Sequence, residues 1–293
     1  MPSIDLVYNP VSGSFSEGRL AKLISAFESR GFAVEKLATQ IDGAQLSGTA
    51  DLICVHGGDG TLRDTIQAML RENIDAPLCI ARSGTINLVA RELDYPADPE
   101  KLATKVAAAW ERGPEGWVHS PLYTLGEMPI ASCLSIGPDS AAVAQVSGTL
   151  KKRIGRFAYA AAMLQLLSRW PRNAMRIRGE LADGTPFECE AEAAIVSHGA
   201  LYAGPFRLSP KAALAADSVE LITLRRSTRL GMLAFVAVAM LRLPVEKFAF
   251  AEIRSARRIA FDRCVTPVQV DGDHMPECAF AIGPSGKTIR YVA

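Results

Sequence analysis

No stretch of this sequence stays apolar long enough to cross a bilayer. The longest apolar run, Leu230 to Leu241 between Arg229 and Arg242, falls short of the ~20 residues a spanning helix needs. It reads as a buried or interfacial helix. Charge of one sign is missing too: 32 Lys and Arg stand against 31 Asp and Glu, a net charge of +1. Bulk attraction to nucleic acid is therefore excluded. The six cysteines, at 54, 79, 133, 189, 264 and 278, form no Cys-x-x-Cys pair and no other metal-like spacing. Several sit inside apolar runs, as buried free thiols do in a reducing cytoplasm. The opening MPSIDLVYNP lacks the basic-then-apolar pattern of a secretory signal, so a cytoplasmic location is expected. Internal repeats and low-complexity tracts are absent. Of the four histidines, His56 and His274 flank segments singled out below, but two histidines so far apart make no motif and receive no role.

What is present is a globular chain with a substantial core. Hydrophobic residues make up 49% of 293 positions, enough for two domains. The most informative stretch is Cys54-Val55-His56-Gly57-Gly58-Asp59-Gly60-Thr61. The apolar run DLICV leads into it, and Leu62, Ile66, Met69 and Leu70 follow at helical spacing. The local reading is strand, tight glycine turn, helix. Glycine lets a ligand approach the backbone, and the helix start offers unpaired N–H groups and a positive dipole end, which suits phosphate. Asp59 would repel phosphate directly, so its carboxylate makes sense on a magnesium ion or a nucleotide hydroxyl. Thr61 and Asp64 also fit a capping box that merely starts the helix.

Two further segments have the same shape. IDLVY, then Asn9-Pro10-Val11-Ser12-Gly13, precedes an amphipathic helix from Gly18 to Arg30. PLCIA, then Arg82-Ser83-Gly84-Thr85, precedes the helical stretch INLVARELD, with Thr85 as its cap. Turn dipeptides alone would explain both. Three such units imply a parallel sheet, whose ligands bind at the carboxyl ends of the strands. The turns could then meet at one site. Beyond Ser120 the pattern becomes β-rich, with turns at Asp183-Gly184 and Pro284-Ser285-Gly286 and helices at 155–170 and 229–243. The expected domains are 1–120 (α/β) and 121–293 (β-rich).

NPxSG, GGDGT and GTxN, in this order and spacing, resemble the diacylglycerol kinase catalytic domain family, which includes bacterial lipid kinases and the sphingosine kinases. The resemblance continues through the glycine-rich segment Gly199–Ala212, through Asp217-Ser218-Val219-Glu220 and through Val270-Asp271-Gly272-Asp273, and so covers most of the chain. It implies an α/β N-terminal domain with a parallel sheet, like that of NAD kinases and diacylglycerol kinases, and a β-sandwich-like C-terminal domain. It also implies an ATP- and Mg²⁺-dependent lipid kinase acting on a lipid hydroxyl at a membrane surface, in lipid metabolism and phospholipid biosynthesis. Such catalysis is mostly positioning and charge stabilisation.

The resemblance assigns the phosphate cradle to Gly57, Gly58, Gly60 and Thr61. It places Asn9, Ser12, Gly13, Thr39, Gly84, Thr85 and Asn87 around the nucleotide and Asp59 at Mg²⁺ or the nucleotide. Asp273 would be the base, oriented by Asp271, since their i, i+2 spacing puts both carboxylates on one side of an extended chain. The bland alternative is an Asp-Gly hairpin turn. Asp217, with the carbonyls of Leu214 and Val219, would hold a second, structural Mg²⁺.

Several positions depart from the family pattern. Asp273 replaces glutamate, Ser218 a glycine, Arg63-Asp64 an Asn-Glu pair and Arg82-Ser83 a segment with proline. Arg82 reads as a phosphate partner or a plain surface residue. A shift of about 1 Å at a base can cost on the order of 100-fold in rate, so a member that binds nucleotide or lipid without turnover stays open. NAD kinase, which shares GGDGT, is the other alternative, although no downstream GxLGFL-like segment is present. Eight basic and no acidic residues lie between Gly148 and Gly179; this rim either docks on anionic headgroups or flanks a core helix. Oligomeric state, homodimer included, is not fixed by the sequence.

Overall fold

The computed structural model describes residues 1–12, 15–41, 43–84, 86–138, 140–141, 174–262, 268–275 and 281–293. The chain forms two compact units. One comprises residues 1–121 and 287–293, the other residues 122–286.

The first unit is α/β. Strands β1 (Ser3–Tyr8), β2 (Ala33–Ala38), β3 (Leu52–Gly57) and β4 (Leu78–Arg82) run parallel in the order β2-β1-β3-β4. Crossover helices cover a parallel sheet on both faces. That is why all six residues of β3 are buried, whereas β2 at the edge can carry Glu35 and Lys36. The helices are α1 (Glu17–Glu28), α2 (Asp59–Glu72), α3 (Leu88–Glu92) and α4 (Pro99–Arg112). Helix α4 starts on local chemistry: Asp98 accepts the Lys101 N–H at 3.0 Å and Pro99 occupies the first turn. It then buries Leu102, Ala103, Val106 and Ala109.

The second unit is antiparallel and β-rich. The chain enters it along β5 (Val118–Leu125), followed by β6 (Met128–Ile130), β7 (Cys133–Ile136), β8 (Met175–Leu181), β9 (Pro186–Ala191), β10 (Ala193–Ser197) and β11 (Val219–Leu224). Helix α5 (Arg229–Met240) intervenes before β12 (Glu252–Phe261), β13 (Val268–Val270) and β14 (Asp273–Met275). Pairing runs β14-β13-β7-β10-β11-β12, and β12 also pairs with β8, which pairs with β9. Strand β8 alternates as a one-face strand should: Met175 and Ile177 are buried, Arg176 and Arg178 exposed. With Tyr123, Leu134, Ile136, Val196 and Leu221 they line one core. The helix expected at 155–170 lies outside the described residues.

The last strand, β15 (Ala281–Tyr291), begins in the β-rich unit beside β12 and ends in the α/β unit beside β4. There Val292 N–H donates to Leu78 O at 2.9 Å and Tyr95 OH to Val292 O at 2.8 Å. Two expectations change here. Pro284-Ser285-Gly286 lies inside the strand, with Gly286 at φ +76°, and residues 287–293 belong to the first unit rather than the second.

Candidate functional site

The carboxyl edge of the parallel sheet collects three turns. The first leaves β1: Asn9 N–H reaches His56 O on β3 (3.4 Å), Asn9 Oδ1 accepts from Val11 N–H (3.0 Å), and Ser12 N–H donates to Asn9 O (3.2 Å). The second is Gly57-Gly58, after β3. The third is Ser83-Gly84, after β4, with Ser83 N–H donating to Gly57 O at 3.0 Å. Ser12 Oγ and Ser83 Oγ stand 3.4 Å apart, which ties the first turn to the third. Thr39, directly after β2, donates its N–H to Tyr8 O at 2.9 Å and so lies at the same edge. Gly13 and Thr85 lie outside the described residues.

Glycine is required here for space. A Cβ on Gly57 would overlap the Thr61 side chain. A Cβ on Gly84 would sit 3.4 Å from Gly58 Cα and 3.3 Å from Asn87 Oδ1, and Gly84 has φ +156°. The two turns thus face each other backbone to backbone. Helix α2 begins at Asp59 with Gly58 as its N-cap and no side-chain cap. The expected Thr61–Asp64 capping box is therefore not formed: Thr61 already lies inside the first turn, packed on Gly57, and its carbonyl accepts the Thr65 hydroxyl at 2.8 Å. Gly58 gives this 14-residue helix no side-chain cap, and the start of a helix is where backbone N–H groups and the dipole suit an anion.

Asn87 opens α3 in the left-handed region at φ 52°, and its Nδ2 donates to Gly84 O at 2.9 Å. Its Oδ1 is buried without a hydrogen-bond partner among the described residues. An orphaned acceptor beside a glycine cradle fits a donor hydroxyl or a cation, not a bare phosphate oxygen. Asp59 Oδ1 accepts a long bond from Val89 N–H (3.4 Å), which links α2 to the start of α3. Together Asn87 and Asp59 supply the hard oxygen donors that Mg²⁺ takes.

Arg82 is committed to the fold. It donates to Ala90 O at 3.0 Å, while Arg19 holds its carbonyl at 2.9 Å. Arg63 pairs with its neighbour Asp64 at 3.1 Å. His56, buried in β3, lies 3.3 Å from Ala81 O through Nδ1 and packs against Phe15. Burial holds its imidazole below the ordinary value, and the positive charge of Arg19 acts in the same direction.

In the β-rich unit, Asp271 and Gly272 form the two-residue loop between β13 and β14, with φ +51° and +85°. This is the primed hairpin turn that Asp-Gly favours, so the chain is not extended at Asp271 as the spacing argument assumed. The Asp271 carboxylate accepts backbone N–H groups of Ala131 (3.0 Å), Ser132 (2.7 Å) and Cys133 (3.1 Å). Asp273 follows the turn, half-buried, opposite Val270. Asp217 is exposed on the loop before β11, with Leu214 buried three residues earlier and Val219 opening the strand. The Asp217 carbonyl accepts the Tyr123 hydroxyl at 2.7 Å. The same unit contains an apolar cavity of about 100 Å³ whose walls include Ile136, Ile195, Phe206, Leu208 and Phe235. Its lining admits hydrocarbon rather than a charged headgroup.

Sequence reasoning missed Ser83 as a contact of the first turn and the clamp of Asp271 on residues 131–133. The signal for Ser83 was a small polar residue beside Gly84. The clamp bridges about 140 positions in sequence and leaves no local trace.

Residues 3–113 match the model of the diacylglycerol kinase catalytic domain. A diacylglycerol kinase of Staphylococcus carnosus (strain TM300) is 24% identical over 282 residues, covering 92% of this chain and 88% of that protein. The crystal structure of a diacylglycerol kinase from Bacillus anthracis str. Sterne superposes with a TM-score of 0.69 at 18% identity, covering 99% of this chain and 96% of that one. An NAD kinase from Archaeoglobus fulgidus in complex with ATP superposes with a TM-score of 0.54 at 12% identity, covering 99% and 93%. At these identities the two solved structures establish the fold, an α/β unit with a β-rich one. The match to the diacylglycerol kinase catalytic domain lies within the α/β unit, and a diacylglycerol kinase aligns along most of the chain, so this protein is similar to diacylglycerol kinases in sequence as well as in fold.

Proposed function

We propose that the protein transfers the γ-phosphoryl group of ATP, with Mg²⁺, to a hydroxyl of diacylglycerol or a related lipid. The observation that carries this reading is the cradle of Gly57, Gly58 and Gly84 at the uncapped start of α2, with the orphaned Asn87 Oδ1 beside it. Backbone N–H groups of residues 58–61 receive the phosphates. Asn9, Ser12, Gly13, Thr39, Thr85 and Asn87 position the rest of the nucleotide. Asp59 would hold Mg²⁺, which when bound would supply neutralisation of charge on the phosphate oxygens. Asp273 takes the proton of the acceptor hydroxyl as its oxygen bonds to the γ-phosphorus and the bond to the bridging oxygen of ADP breaks. Asp271 acts as a positioning residue, because its carboxylate is spent on three backbone amides that fix the hairpin. Asp217, with the carbonyls of Leu214 and Val219 and water, is the oxygen-only set a second Mg²⁺ would take. The apolar cavity of the β-rich unit supports a lipid acceptor.

The test is transfer of radiolabelled γ-phosphate from ATP to a total lipid extract in mixed micelles. A labelled lipid should form with the wild type and fall about 100-fold or more with Asp59→Ala and with Asp273→Ala. ATP binding without any labelled lipid would favour a member without turnover, as the shortened carboxylate of Asp273 allows. With NAD supplied as the acceptor in place of lipid, label on NAD would instead identify an NAD kinase.

A further inference from the structure

Helix α5 is apolar on both sides. Met232, Phe235, Val238 and Ala239 are buried. The opposite side carries Leu230, Leu233, Val236 and Met240, continued by Leu241 and Leu243, and all six are exposed, Leu230 by 79% and Leu241 by 70%. Six of the nine large exposed hydrophobics among the described residues therefore fall on this one segment. No charged residue interrupts it from Leu230 to Leu241. The charge is placed at its ends: Arg225, Arg226 and Arg229 before it and Arg242 after it, all exposed.

We propose that this face of α5 docks the protein on an anionic membrane surface. The helix would lie in the interface, its leucines in the acyl boundary and its arginines reaching lipid phosphates. A helix of 12 residues is about 18 Å long, suited to lying on a bilayer and too short to cross one. The arrangement of charge selects this occupant over a second copy. Two α5 faces packed about a two-fold axis would bring like charges together, Arg229 against Arg242 if the helices run antiparallel and Arg229 against Arg229 if they run parallel. The exposed apolar strip is also on the order of 600 Å², short of the roughly 800 Å² per partner of a stable interface. Anionic headgroups satisfy the arginines, and hydrocarbon covers the strip.

Docking is separate from phosphoryl transfer, so it is tested without ATP. The full chain is sedimented with vesicles of phosphatidylcholine alone or mixed with phosphatidylglycerol, at low and high salt. The wild type should bind the anionic vesicles, less so in salt. Leu230→Glu with Leu233→Glu should weaken binding at least about tenfold, with near-ultraviolet circular dichroism unchanged because both side chains are exposed. Arg225→Gln, Arg226→Gln, Arg229→Gln and Arg242→Gln together should abolish the dependence on phosphatidylglycerol. Wild-type binding equal on both vesicles, or retained by the double Glu variant, overturns the proposal. So does a wild-type dimer in sedimentation equilibrium that the double Glu variant splits into monomers. Loss of transfer to a water-soluble short-chain diacylglycerol, with vesicle binding intact, would remove the kinase reading and leave the docking face standing.

Discussion

Two aspartates one glycine apart carry different loads in the β13–β14 hairpin. Asp271 is 7% exposed and bonds three backbone N–H groups. Removing its carboxylate strands those donors in the interior, at about 1–3 kcal/mol each before relaxation. Asp271→Ala should therefore lower unfolding stability by about 3–5 kcal/mol, read from urea titrations. Asp273 is half-buried and lies beyond the turn. Asp273→Ala should cost less than about 1 kcal/mol and still abolish label transfer. Equal losses of stability in the two variants would contradict this division. At the cradle, Gly84→Ala places a methyl against Gly58 Cα and Asn87 Oδ1. It should weaken ATP binding at least about tenfold by calorimetry, with a smaller loss of stability. The Asp-Gly pair was readable as a hairpin from its two residues. What Asp271 holds was not, because its partners lie in residues 131–133.

Strand β3 puts an imidazole where only apolar side chains ordinarily fit. His56 is 1% exposed, and its Nε2 has no hydrogen-bond partner among the described residues. Burial, the leading cause, lowers its affinity for a proton from the ordinary 6.5. The unfolded chain therefore binds more protons below that pH, and stability rises with pH wherever this holds. His56 leaves stability intact above about pH 6.5 and subtracts from it as the pH falls below. The urea midpoint of the wild type should drop between about pH 7.5 and pH 5.5, and His56→Asn, which keeps a donor near Ala81 O, should flatten that drop. An equal drop in both proteins would assign the effect elsewhere. The element itself was legible, since DLICVHGG is an apolar run closed by glycines. The start of α2 was less so. Thr61 has the composition of a cap, but close packing on Gly57 draws it into the helix and the first turn begins at Asp59.

At the scale of the whole molecule, the final seven residues complete the first unit. Tyr291 is 1% exposed and Val292 is fully buried, and both lie beside Leu78 of β4. A chain ending at Gly286 would bare that edge and leave the Tyr95 hydroxyl without its Val292 carbonyl. It should show a lower first thermal transition and faster amide exchange in β3 and β4, with ATP binding reduced as a consequence. Protection unchanged in those strands would show that the unit does not need its last strand. The segment KTIRYVA reads as a strand from its alternation, yet nothing local says which sheet receives it.

By itself the sequence determined the strand–turn–helix units, the glycine turns that close them, and an order of motifs that resembles the diacylglycerol kinase catalytic domain. Each depends on neighbours within about ten residues, where periodicity and backbone preference act directly. The tertiary structure alone decided that Ser12 meets Ser83, that Asp271 clamps residues 131–133, that the end of the chain returns to β4, and that one side of α5 stays uncovered. These depend on groups far apart in the chain that meet only when burial and hydrogen bonding are satisfied together, and local composition does not encode such meetings.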